Sequence, residues 1–221
     1  MLSDGVQSIS GYVGDSGYAI KTTISSGGSM LVLSGGIASG TTVGAGGSGY
    51  VNVASGGTAI DTVVGAFAVI EIESGGTTSL TTLSGGAANE DIDYGGVSSD
   101  TTVSSGSQNV GGEAANTNVQ ARGEQIIVSG GTAVATVISG GANVYVSSGG
   151  SADLANVNGG NLYVSSGGTA LFTTISGGFV DVRSGGVATD EITFENGGIL
   201  QIDGTNMPAA MASTKAPPRR H

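Results

Sequence analysis

Ser166-Gly167-Gly168-Thr169-Ala170-Leu171-Phe172-Thr173-Thr174-Ile175-Ser176-Gly177-Gly178-Phe179-Val180-Asp181-Val182 decides the fold. It holds a glycine pair, a few small or polar residues, a Thr-Thr-apolar triplet, a second glycine pair and an apolar-x-apolar triplet. The same order recurs along the chain. Aligning the last residue of the Thr-Thr-apolar element gives Ile24, Val43, Val64, Leu83, Val103, Val119, Ile138, Val157, Ile175 and Thr193, at steps of 16 to 21 residues. A fixed period of this size marks a solenoid, in which each repeat packs only on its neighbours.

The second element keeps the same period: Leu31-Val32-Leu33, Val51-Asn52-Val53, Ile70-Glu71-Ile72, Ile126-Ile127-Val128, Val144-Tyr145-Val146, Leu162-Tyr163-Val164, Val180-Asp181-Val182 and Leu200-Gln201-Ile202. Alternation with period two describes a strand whose flanking residues face inward and whose middle residue faces solvent. Two short strands per rung cannot pair within about 19 residues, so each pairs in parallel with its equivalent one rung away. Thr22, Thr41, Thr62, Thr81, Thr101, Thr117, Thr136 and Thr173 then form an inward ladder of hydroxyls. The glycine pairs fall at the corners, where positive φ or a close backbone approach excludes other residues. The reading is all-β: a single-stranded parallel β-helix of about ten rungs over 1–203, followed by a Pro- and Arg-containing tail over 204–221. Rung five breaks the pattern. Its step is 16 residues and Gln108-Asn109-Val110 makes a poor inward triplet, which predicts a bulge or a missing turn near Ser104 to Gly112.

Composition excludes several classes. Of 221 residues 43 are Gly, but there is no G-X-Y period and there are 3 Pro, so collagen is out. Only 10% of residues are charged and 38% are apolar, a poor composition for disorder. With no Cys, disulfide frameworks and thiolate chemistry are removed. The only His, His221, is the last residue of the tail, which leaves no His-based triad or metal site to expect. Residues 1–203 carry seventeen Asp and Glu against Lys21, Arg122 and Arg183, a net charge of −14, so nucleic acid is not an expected partner. No basic leader with a continuous apolar run opens the chain, and no apolar run is long enough for a membrane helix.

Ser55-Gly56-Gly57-Thr58-Ala59, Ser129-Gly130-Gly131-Thr132-Ala133 and Ser166-Gly167-Gly168-Thr169-Ala170, each followed by a Thr-containing apolar triplet, resemble the repeats of AIDA-type self-associating autotransporter adhesins. The resemblance spans about nine tenths of the chain, ending at Gly197-Gly198-Ile199-Leu200-Gln201-Ile202-Asp203-Gly204. It implies a right-handed β-helix displayed on the Gram-negative cell surface, promoting adhesion, autoaggregation and biofilm formation. It also implies modification of serines by a heptosyltransferase. The translocator barrel and signal peptide of that family have no counterpart in this sequence.

Ser84, Ser139 and Ser176, which follow the aligned apolar column and precede Gly-Gly, are the glycan acceptors the resemblance suggests; ordinary turn serines are the alternative. Tyr145 and Tyr163 share an outward column 18 residues apart. They read as a cross-rung aromatic pair or as a contact surface for a carbohydrate or partner. Glu90, Asp91 and Asp93, with Asp100 nearby, read as a solvated acidic turn in preference to a carboxylate dyad or calcium site. No catalytic residue, cofactor or metal ligand is expected. The expected partners are other copies on neighbouring cells or stacked end to end, host surfaces or glycans, and the serine-modifying enzyme. A filament subunit and a polysaccharide-acting enzyme are the two rival functions.

Overall fold

The computed structural model describes the backbone of Val6–Ile9 and residues 17–203; the expected tail over 204–221 lies outside them. Among the described residues there are 29 strands and no helix. All pairings between strands are parallel and join residues one rung apart, as in Val144↔Leu162, Leu162↔Val180 and Val180↔Leu200. The chain is the expected solenoid of about ten rungs, with the core running along its axis.

The rungs carry three strands, one more than the sequence pattern suggested, except rungs four and five, where two of the three merge. One face is built from four-residue strands such as Asn161–Val164, a second from strands beside the threonine column such as Thr174–Ser176. Together these two faces form a 19-stranded sheet. A separate 10-stranded sheet forms the third face from three-residue strands such as Thr58–Ile60 and Thr169–Leu171. The inward residues of that third face are Ala19, Ala38, Ala59, Thr78, Ser98, Ala114, Ala133, Ala152, Ala170 and Ala188, all buried. Such small residues leave no apolar alternation to read, which is why this face was invisible in the sequence.

The expected apolar column is buried from Ile24 through Ile175. A fully buried Val, Leu or Ile is worth roughly 1.5–3 kcal/mol, so stability accumulates rung by rung. Cross-rung pairing corrects the register at three places. Met30 and Val32 point inward, not Leu31 and Leu33, because they pair with Val51 and Val53. Gln125 and Ile127 point inward, not Ile126 and Val128. Phe194, not Thr193, lies opposite Ile175. A run of three or four apolar residues fits either register when read alone, and the neighbouring rung removes the ambiguity.

Glycine serves only two of the three corners. Between the third face and the threonine column, the chain turns on one left-handed residue: Lys21, Asp61, Leu80, Asp100, Asn116, Ala135, Leu154, Phe172 and Asp190 have φ between 47° and 65°, and Gly40 takes the same place in rung two. The extra outward residue breaks in-out alternation, so Ala59 and Thr62 both face the core with Ile60 and Asp61 outside. A side chain in this conformation costs about 1–2 kcal/mol. The backbone N–H answers across the rungs, from Asp61 to the Ser79 carbonyl at 3.0 Å and from Leu154 to that of Leu171 at 3.0 Å.

Candidate functional surface

The tyrosines anticipated on the outward column stack. The Tyr145 and Tyr163 rings lie 5.2 Å apart at 12°, and Phe179 meets Tyr163 edge-on at 6.4 Å. Arg183 sits over Tyr163 at 5.7 Å and pairs with Asp181 at 3.2 Å. Burial, followed by the nearby Glu124 carboxylate, pushes the Tyr145 hydroxyl above its ordinary pKa. Ring faces turned to one another make this a cross-rung brace, with only edges and hydroxyls available outside.

The anticipated acidic turn is not one. The four carboxylates point in different directions: Asp91 outward, accepting from Asn89 at 2.8 Å and Asn109 at 2.6 Å; Asp93 into one exposed corner; Asp100 into another, bonded by Asn116 at 3.1 Å. Glu90 is fully buried. It fills the first inward position of its four-residue face, where other rungs hold Val51, Ile70 or Leu162. Its carboxylate accepts from Gln108 Nε2 at 2.7 Å, Ser98 Oγ at 3.0 Å, Thr101 Oγ1 at 3.1 Å and Thr78 Oγ1 at 3.2 Å. Gln108 in turn accepts from Gln125 Nε2 at 2.7 Å and Thr117 Oγ1 at 3.1 Å, and Gln125 accepts from Thr136 Oγ1 at 3.1 Å. Donation runs from rung seven to an acceptor in rung four. Burial pushes the Glu90 acid above its usual range, against the pull of these donors. Outside this network the buried Thr41, Thr62, Thr81 and Thr173 hydroxyls have no partner. Spacings of 18 and 17 residues link Glu90 to Gln108 and Gln108 to Gln125, a signal the sequence held but that polar residues obscured.

The irregularity expected in rung five is present and larger than expected. Thr102–Val110 runs as one strand with no turn, and so does Thr82–Ile92 in rung four, with register shifts where they pair. Two missing corners leave a trough of about 730 Å³, lined by Gly86, Ala87, Asn89, Ser105, Asn109 and Arg122 among others.

The three serines differ from one another. Ser84 is exposed but lies inside the continuous strand of rung four, not at a turn as anticipated, and donates to the Val64 carbonyl at 3.3 Å. Ser139 and Ser176 end their strands as expected; the Asn196 amide donates to Ser176 at 2.9 Å. A more regular series was overlooked. Ser34, Ser55, Ser74, Ser129, Ser148, Ser166 and Ser184 all precede a glycine pair and stand exposed along one corner of the rod. In each of these corners the following glycine has φ near 80°, as at Gly56 (75°) and Gly167 (76°), and the serine rides on the outside of the turn. The recurring Ser-Gly-Gly string was the available signal.

No protein-family model matches this chain, and no curated protein does. Among solved structures it is similar to the crystal structure of a TibC-catalysed, hyper-glycosylated fragment of TibA, with 31% identity over 93% of each chain and a TM-score of 0.59. A repetitive parallel solenoid with exposed serine corners is the form of an adhesin passenger. The chain belongs to the AIDA-type self-associating autotransporter adhesins.

Proposed function

We propose that this chain is a non-enzymatic passenger rod on the bacterial cell surface. It joins cells through many weak, repeated contacts, giving adhesion, autoaggregation and biofilm growth. The observation that carries this reading is the exposed serine corner, presented by three successive rungs at Ser34, Ser55 and Ser74 and by four more at Ser129, Ser148, Ser166 and Ser184, with Tyr94 and Gly111 between the two runs. Repeated sites on a stiff scaffold multiply modest affinities, because each contact raises the effective concentration of the next. The same column is the natural substrate for serine glycosylation by a heptosyltransferase, as the hyper-glycosylated TibA fragment is modified by TibC. Ser84, Ser139 and Ser176 are further acceptors of the same chemistry, of which Ser84 is the most exposed. Other copies, host surfaces and host glycans are the partners.

The test is display of the chain on cells that otherwise stay dispersed, with and without the modifying enzyme. Cells should settle as aggregates, and replacing the seven corner serines together with Ser84, Ser139 and Ser176 by Ala should abolish the attached sugar in the intact-protein mass. Dispersed cells in every arm would refute the reading.

A filament subunit is the second reading. Phe194 and Ile199 on the last described rung are 46% and 58% exposed, as strands prepared to take another rung would be. Electron microscopy of purified protein separates the two, since only the filament reading expects long end-to-end rods. A polysaccharide-acting enzyme is disfavoured by the divergence of Glu90, Asp91 and Asp93, which removes the best pair of carboxylates.

A further inference from the structure

The trough across rungs four and five is built with more care than a missing corner requires. The turn absent there is present in six other rungs as a four-residue turn closed by a backbone bond, and in four of them the third residue is Gly27, Gly46, Gly141 or Gly197, with φ from 78° to 87°. The two exceptions are the turns on either side of the trough. Rung three places Phe67 there at φ 61°, and rung six places Arg122 at φ 76°. Both positions favour glycine, and both carry a large side chain at a cost in backbone strain. Phe67 is 68% exposed and Arg122 is exposed as well, so neither is repaid by burial. Rung four passes directly over the rung-three turn: a Cβ placed on Gly85 would lie 2.2 Å from the Ala66 nitrogen.

Between these rims the floor is small and the walls are polar. Gly106, at φ 104°, approaches the Ala88 carbonyl so closely that a Cβ would lie 2.3 Å from it. Gly86 faces open space, where an added Cβ would meet only Ser105 Oγ at 3.8 Å. Asn89, Asn109, Ser105, Ser107 and Glu124 supply amide, hydroxyl and carboxylate groups. The one salt bridge among the described residues joins Arg183 and Asp181, which leaves the Arg122 guanidinium available to a ligand.

We propose that this trough is a binding groove for a neutral oligosaccharide. Guanidinium, amide, hydroxyl and carboxylate groups over a floor of small residues, with the exposed Phe67 ring on the adjoining rung-three turn, match a sugar, which has apolar C–H faces and hydroxyls at its edges. The volume falls within the range of ligand sites. Uncharged sugars are favoured over acidic ones because Glu124 lines the groove and residues 1–203 carry −14. The groove acts on a single rod, so it is independent of association between rods.

Isothermal titration of the purified monomeric chain with maltohexaose, cellohexaose and mannohexaose, and with oligogalacturonate as the acidic arm, tests the assignment. At least one neutral hexaose should bind at millimolar concentration or better. Phe67→Gly and Arg122→Gly restore the residue used at the equivalent turns, so they should keep the thermal midpoint while weakening binding at least about tenfold, a loss of roughly 1.4 kcal/mol. Gly86→Phe fills the floor without a backbone clash and should abolish binding. The proposal fails if no neutral hexaose binds, if binding survives Gly86→Phe and Arg122→Gly, or if only the acidic oligomer binds.

Discussion

Gln108 donates its side-chain amide to the Glu90 carboxylate across 2.7 Å, at a depth in the solenoid where neither residue reaches solvent. Every polar contact at Glu90 is a donor, and no cation is among them. Those donors favour the carboxylate, but burial outweighs them, so the folded protein holds a proton at Glu90 more tightly than the unfolded chain does.

A group whose folded pKa is raised favours folding when it is protonated, so this contribution is present at low pH and is lost as pH rises through the folded value. Asp93, raised by partial burial and by Glu71, Asp91 and Glu73, acts in the same direction. Stability measured by urea denaturation should increase as pH is lowered from about 8 toward about 5. Glu90→Gln should be more stable than wild type at the upper end and show a flatter profile. Glu90→Ala should lose about 2–5 kcal/mol at every pH, through the cavity and the unpaired Gln108 amide. A wild-type profile that rises with pH over this interval would contradict the assignment.

The threonine ladder divides by whether its hydroxyl has a partner. Thr62 has none, and Thr62→Val should be neutral or stabilising by about 1 kcal/mol. Thr117 donates to Gln108 at 3.1 Å, and Thr117→Val should cost about 1 kcal/mol. Denaturation midpoints of the two variants moving in opposite directions, or at least well apart, would establish the distinction; equal shifts would erase it.

Leu154 combines φ 55° with 52% exposure, so it is strained and leaves apolar surface in water. Asn tolerates this backbone conformation better than Leu. Leu154→Asn should therefore raise stability by up to about 1 kcal/mol, read as a higher urea midpoint with an unchanged slope.

A double-mutant cycle on Tyr145 and Tyr163 should return a coupling of about 0.5–1.5 kcal/mol for the stacked pair. A coupling indistinguishable from zero would mean that the two rings contribute independently and that the outward column is not braced here.

Periodicity made the Val and Ile columns legible, because residues such as Val157 and Ile175 are apolar, buried and evenly spaced. Rungs four to six resisted the same reading. Glu90, Gln108 and Gln125 occupy inward positions that composition assigns to solvent, and they do so because each satisfies the next. A polar side chain gives no periodic hydrophobic signal, and its partners lie 17 or 18 residues away, so its burial can be justified only once the rungs are stacked. The trough was legible as a short step and a poor triplet near Gln108, whereas its extension into rung four and its rims at Phe67 and Arg122 were not.

The sequence by itself determined the period, the parallel stacking and the buried Val, Ile and Thr columns, since a repeat too short to bury its own apolar face must bury it against the next copy. Tertiary structure decided what lies between those columns: the alanine-lined third face, the corner turning on Asp61 and Leu154 instead of glycine, and the interior address of Glu90. Those features depend on where a residue sits relative to the rungs above and below, a relation that residue type alone does not encode.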